Sequence, residues 1–118
     1  RYAEIRGRDL ITGLPKTIEV GSSELLEAIS KSLETILDAI RMVLERTPPE
    51  LSADIADKGM ILTGGGSLLE NLDVLLTKVN KVPAYVAENP ISCVALGAGK
   101  VLDQIHILKQ GLISSGHR

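Results

Sequence analysis

The most specific chemistry in the sequence lies where Met60-Ile61-Leu62-Thr63 runs into Gly64-Gly65-Gly66-Ser67. The apolar run predicts a short strand buried on both faces. Leu68, Leu69, Leu72, Leu75, Leu76 and Val79 predict a helix from about Ser67 to Val79 with these residues on its inner side. Glycines at such a junction let a ligand approach the backbone, the first amides of the helix are unpaired, and its dipole favours negative charge. Ser67 adds a hydroxyl that caps the helix or donates to a ligand. This chemistry suits a phosphate or sugar, held beyond the C-terminal end of a strand, where ligands of open α/β sheets sit. A tight turn needing positive φ explains the same glycines without a ligand. The pattern is neither G-x-G-x-x-G nor G-x-x-x-x-G-K-[ST], and no lysine follows to reach a terminal phosphate. It points to binding rather than catalysis.

The other reactive residue types carry less. Ala95-Leu96-Gly97-Ala98-Gly99 puts two glycines inside a predicted helix, at about 1 kcal/mol each relative to alanine. A small-residue face that admits a second backbone explains them, and so does a hinge. Cys93 lies between apolar neighbours with no evident base, so it reads as a small core residue. His106 and His117 have no ligand-like spacing with each other or with Cys93. Asp54 and Asp57 form a carboxylate pair that helix solubility accounts for equally well. Arg6, Arg8 and Asp9 suit ion pairs or a neighbouring subunit.

These residues stand on a chain of 118, enough for one compact domain. Apolar types make up 44%, but Trp and Phe are absent and only Tyr2 and Tyr85 are aromatic, so any core is aliphatic. The formal charge of −2 and the lack of aromatic platforms argue against nucleic-acid binding. One cysteine excludes an internal disulfide and fits a reducing compartment. No apolar run approaches the ~20 residues of a membrane span. The chain does not begin with methionine and reads as a piece of something longer.

The predicted elements follow from periodicity and punctuation. Residues 2–20 predict a hairpin turned at Thr12-Gly13-Leu14-Pro15. A helix from Ser22 to about Arg46 carries Leu25, Leu26, Ile29, Leu33, Ile36, Leu37, Ile40, Val43 and Leu44 on one stripe. Thr47-Pro48-Pro49-Glu50 predicts a second helix to about Asp57, with Thr47 as cap, Pro48 at the first position and Glu50 closing a capping box. After the glycine turn and its helix comes a strand, 84–87. Asn89-Pro90 then starts a helix to about Ile105, with Ile91, Val94, Ala95, Ala98, Val101 and Leu102 inward, and His106–Lys109 able to extend it. Gly111 onward reads as frayed, and His117-Arg118 as a solvated tail. The order β-β-α-α-β-α-β-α predicts α/β layers, with the two later strands parallel across a right-handed crossover.

Several stretches together resemble the MreB family, within the superfamily of actin, Hsp70 chaperones and sugar kinases. They are Ile5-Arg6-Gly7-Arg8-Asp9-Leu10, Thr12-Gly13-Leu14-Pro15, Glu45-Arg46-Thr47-Pro48-Pro49-Glu50-Leu51, Ile61 to Leu69, and Val94 to Gly99. They run in family order over nearly the whole chain. The resemblance implies the C-terminal part of an actin-like, ribonuclease-H-like ATPase domain. Residues 1–20 would be its hairpin, 22–57 its helices, 58–105 a βαβα unit walling the nucleotide, and 106–118 a tail. It implies that Gly64, Gly65, Gly66, Ser67 and Leu68 are the adenosine motif, and that Ala95–Gly99 belongs to an inter-domain hinge helix.

By the same resemblance, the parent binds ATP with Mg²⁺ and polymerises with its own kind in the cytoplasm. It would lie on the inner face of the cell membrane, meet an adaptor of the RodZ type, and guide cell-wall synthesis and rod shape. The phosphate loops, the Mg²⁺-holding acids and the membrane-inserting element are expected upstream of Arg1. The piece itself is then expected to hold no nucleotide tightly and to hydrolyse none. The competing reading is an interaction module with no nucleotide binding in isolation.

Overall fold

The computed structural model describes residues 1–115. They divide into two compact units, Arg1–Arg46 and a second from Thr47 onward. In the first unit, β1 (Tyr2–Arg8) pairs antiparallel with β2 (Pro15–Gly21), from Tyr2 opposite Gly21 to Arg8 opposite Pro15. Asp9 closes the turn. Its amide donates to Leu14 O and its carbonyl accepts from Gly13 N, both at 2.9 Å. Its carboxylate accepts from Ile11 N at 2.8 Å and Thr12 N at 3.0 Å, and meets Lys16 Nζ at 3.4 Å. Gly13 takes φ of 70°, which glycine adopts without steric cost.

Strand alternation gives the hairpin two faces. Ala3, Ile5 and Gly7 share one with Lys16, Ile18 and Val20; Tyr2, Glu4, Arg6 and Arg8 share the other with Pro15, Thr17, Glu19 and Gly21. The helix α1 (Ser22–Arg46) has Glu24 in its first turn and Arg46 in its last, complementing the dipole. Of its apolar stripe, Leu33, Leu37, Ile40 and Leu44 are half-buried, and the rest is exposed.

In the second unit, α2 (Pro49–Lys58) starts one residue later than predicted. Pro49 forces the residue before it out of the helical region, so Pro48 is extended at φ −56°, ψ 147° and serves as the cap. Its carbonyl accepts from Leu51 N and Ser52 N at 3.1 and 2.9 Å. Glu50 therefore stands two residues past the cap, and the capping-box register is not the one adopted. The helix ends at Gly59, at φ 85°, where a Cβ would lie 2.6 Å from Pro83 O and 2.8 Å from the Tyr85 ring.

The strands β3 (Met60–Leu62) and β4 (Ala84–Val86) pair in parallel, Met60 opposite Ala84. Between them α3 (Leu72–Asn80) buries Leu76 to 2% exposure beside buried Ala84. Thr77 ties helix to strand: its hydroxyl donates to Asp73 O at 2.8 Å and accepts from Ala84 N at 3.0 Å. Lys81 then caps α3 in the left-handed conformation.

Two expectations of burial fail here. Ile61 is 63% exposed, so the described residues do not cover β3 on both faces. The predicted helix from Asn89 to Ile105 is a 3₁₀ turn over Pro90–Ser92 followed by α4 (Cys93–Asp103), and its expected inner residues Ile91, Val94, Val101 and Leu102 are all exposed. A break at Gln104 separates α4 from α5 (Ile105–Ser115), which is helical where fraying was expected. His117 and Arg118 lie outside the described residues.

Candidate functional site

The glycine turn stands at the C-terminal end of β3, as predicted, but its geometry differs. Gly64 takes φ 86°, ψ 165°, a region open to glycine alone. Residues Gly65–Leu68 then form a single 3₁₀ turn. Leu69 turns extended at φ −58°, ψ 124°, Asn71 is left-handed at φ 64°, and α3 begins only at Leu72. The continuous helix from Ser67 is thus corrected. Consecutive glycines disfavour helix, and Asn tolerates the left-handed step that restarts it. The N-terminus of α3 therefore lies at Leu72, past the glycine turn.

The turn is fixed from inside. Gly64 N–H donates to Pro90 O at 2.8 Å, which ties the turn to the segment after β4. Ser67 is 6% exposed, and its hydroxyl donates to Gly64 O at 2.6 Å while its amide reaches the same oxygen at 3.2 Å. Ser67 therefore shapes the loop rather than reaching outward. Leu69 N–H bonds to Gly66 O at 3.2 Å. Gly65 and Gly66 face open space, with nothing within 4 Å of where a Cβ would sit. Their amides precede the first hydrogen bond of the turn, and Leu68 is exposed beside them. The result is an accessible strip of backbone, braced by Gly64, Ser67 and Pro90. Pro90 is the participant that sequence reasoning missed, because Asn89-Pro90 signals only a helix start.

The remaining candidates stay apart from this strip. Gly97 and Gly99 of α4 have nothing within 4 Å, so no described residue uses their small size for close approach. Asp54 and Asp57 are exposed on α2. The Cys93 thiol is half-buried and lies 3.5 Å from Asn89 O. Among the described residues no group of three or more His, Cys, Asp or Glu is placed to hold a metal ion, and no helix is long and apolar enough to cross a membrane.

A strand, a braced glycine turn, a crossover helix and a parallel strand place the molecule among the α/β folds that hold ligands at strand ends. The fold is actin-like. It aligns with MreB5 of Spiroplasma citri bound to ADP at a TM-score of 0.84 and 33% identity, over 89% of this chain and 32% of that one. The same protein bound to AMPPNP aligns at 0.85 and 32% identity, over 94% and 33%.

Residues 1–110 match the family described as MreB/Mbl protein, and the chain belongs to that family. It is 56% identical over 110 residues to the cell shape-determining protein Mbl of Bacillus subtilis (strain 168), covering 93% of this chain and 33% of the relative. Against the cell shape-determining protein MreB of Escherichia coli (strain K12) it is 49% identical over 105 residues, covering 89% and 30%. The chain thus spans about a third of the length of the relatives it matches.

Proposed function

We propose that this chain belongs to an ATP-dependent cytoskeletal protein that assembles with its own kind and determines cell shape. In this reading Gly64–Leu68 is the adenosine-side wall of the nucleotide site. The observation that carries it is the open backbone of Gly65 and Gly66, held at the end of β3 by the Gly64–Pro90 and Ser67–Gly64 bonds. Support comes from the related MreB5 of Spiroplasma citri, which is described bound to ADP and to AMPPNP.

The residues of the strip fit part of a nucleotide. Bare Cα atoms admit a sugar or a flat base, outward amides suit an α-phosphate oxygen, and Leu68 offers apolar contact. No carboxylate lies among Gly64–Leu68 to hold Mg²⁺, so the metal and the hydrolytic step fall to other parts of the whole protein. The whole protein would act in the cytoplasm, on the inner face of the membrane, with a RodZ-type adaptor as partner.

Titration of the labelled chain with ATP, followed by amide NMR, tests the site. Shifts confined to Gly64–Leu68, weak in affinity and reduced by Gly66→Ala, are expected. Open space at Gly66 means that this variant keeps the fold. Silence at these amides would instead favour an interaction module, the reading that the exposed apolar residues of α1 support.

A further inference from the structure

Consecutive glycines have little conformational preference of their own, so the shape of the strip Gly64-Gly65-Gly66 has to be imposed on it. The bonds Ser67 Oγ–Gly64 O, Ser67 N–Gly64 O and Leu69 N–Gly66 O run within the turn and move with it. The 2.8 Å bond from Gly64 N–H to Pro90 O reaches outside it, to the segment between β4 and α4. Both ends of that link lie in the second compact unit.

What aims the Pro90 carbonyl is Asn89. It is left-handed, at φ 50°, ψ 59°. That region is uncommon for any residue with a side chain, and the residue before a proline normally stays extended. The Asn89 carbonyl accepts from Ser92 N–H at 2.9 Å, closing the 3₁₀ turn Pro90–Ser92, and Cys93 Sγ stands 3.5 Å from the same oxygen. The proline ring fixes the φ that follows. The chain therefore leaves β4, turns at Asn89 and presents Pro90 O to Gly64.

A backbone held against two local preferences at once persists where surrounding contacts over-determine it, and such residues gather at functional sites. Asn89 is exposed, so burial of its side chain does not explain the residue there. Asparagine does suit the position for a backbone reason, because it is among the few types besides glycine that visit the left-handed region routinely.

We infer that Asn89 is a positioning residue for the glycine strip: its left-handed backbone aims Pro90 O at Gly64 N–H and so fixes the geometry in which Gly65 and Gly66 meet a ligand. The inference rests on the reading of Gly64–Leu68 as a nucleotide wall for the identity of that ligand alone. Amide exchange and ATP titration of the labelled chain, unaltered and as Asn89→Gly and Asn89→Val, test it. Glycine accepts the left-handed backbone, whereas a β-branched residue does not. In Asn89→Val the Gly64 amide is expected to exchange about tenfold faster, while the amide of buried Leu76 in α3 keeps its rate. The Gly65 and Gly66 shifts move with Gly64, and their response to ATP weakens. Asn89→Gly stays close to the unaltered chain in each of these readings.

A Gly64 rate indifferent to Asn89→Val, or a loss of protection that Asn89→Gly shares, overturns the inference. So does a Leu76 rate that rises as much as that of Gly64, because Asn89 would then serve stability alone. Silence of the unaltered chain toward ATP, with the exchange pattern as expected, overturns the nucleotide reading and supports the role of Asn89, so the two fail separately. Should Asn89→Val not fold, by circular dichroism, Asn89→Ala replaces it. Scalar coupling from Gly64 N to the Pro90 carbonyl carbon then reads the bond directly in the unaltered chain, and its absence overturns the inference.

Discussion

At the scale of single residues, the glycines divide into those the fold needs and those it leaves open. Gly59 combines φ of 85° with a backbone oxygen 2.6 Å from where a Cβ would stand. That oxygen, Pro83 O, also accepts Met60 N–H at 2.7 Å, so it cannot retreat without breaking the entry to β3. Gly59→Ala is therefore expected to cost about 3 kcal/mol, from left-handed strain plus the clash. The midpoint of urea unfolding should fall with its slope unchanged. Gly65 and Gly66 have no such constraint, and their freedom is available to a ligand. Ser67 shows how position changes a role: a hydroxyl beside glycines suggests a ligand donor, but burial turns it onto Gly64 O.

At the scale of elements, the hairpin depends on Asp9. The Thr12 and Ile11 amides hold its carboxyl below its ordinary value of 3.8, and Lys16 adds to the effect. A depressed value in the folded state means that the carboxylate stabilises the turn fully above pH 3.8 and loses that effect as the pH falls through the depressed value. Asp9→Ala should lower hairpin stability at neutral pH and flatten its acid dependence, read from the Ile11 and Thr12 amide shifts across the titration. The bounds of the hairpin and of α1 were legible because turn residues and a three-four stripe mark them. Leu68, Leu69 and Leu72 misled for the same reason: their spacing continues smoothly across the break at Asn71, where backbone conformation departs from helical period. The Pro90 anchor was not legible at all, because a carbonyl bond depends on tertiary position rather than side-chain type.

At the scale of the molecule, large apolar side chains stand exposed in each unit, among them Leu25, Leu26 and Ile36 in the first and Ile61, Leu68 and Val94 in the second. Among the described residues, Leu76 and Ala84 are the only buried large or small hydrophobic side chains. Strong enhancement of anilinonaphthalene sulfonate fluorescence at neutral pH, with native helix content retained, is the expected outcome. Dye binding at the level of an ordinary small domain would contradict it. The bond from Gly64 N–H to Pro90 O has one more consequence, in time rather than in space. The hairpin and α1 draw on sequence neighbours and can form early, whereas this bond waits on closure of the whole β3–α3–β4 crossover. During synthesis the turn cannot reach its native shape until Pro90 has emerged from the ribosome, so the candidate site sets later than the hairpin and helix that precede it.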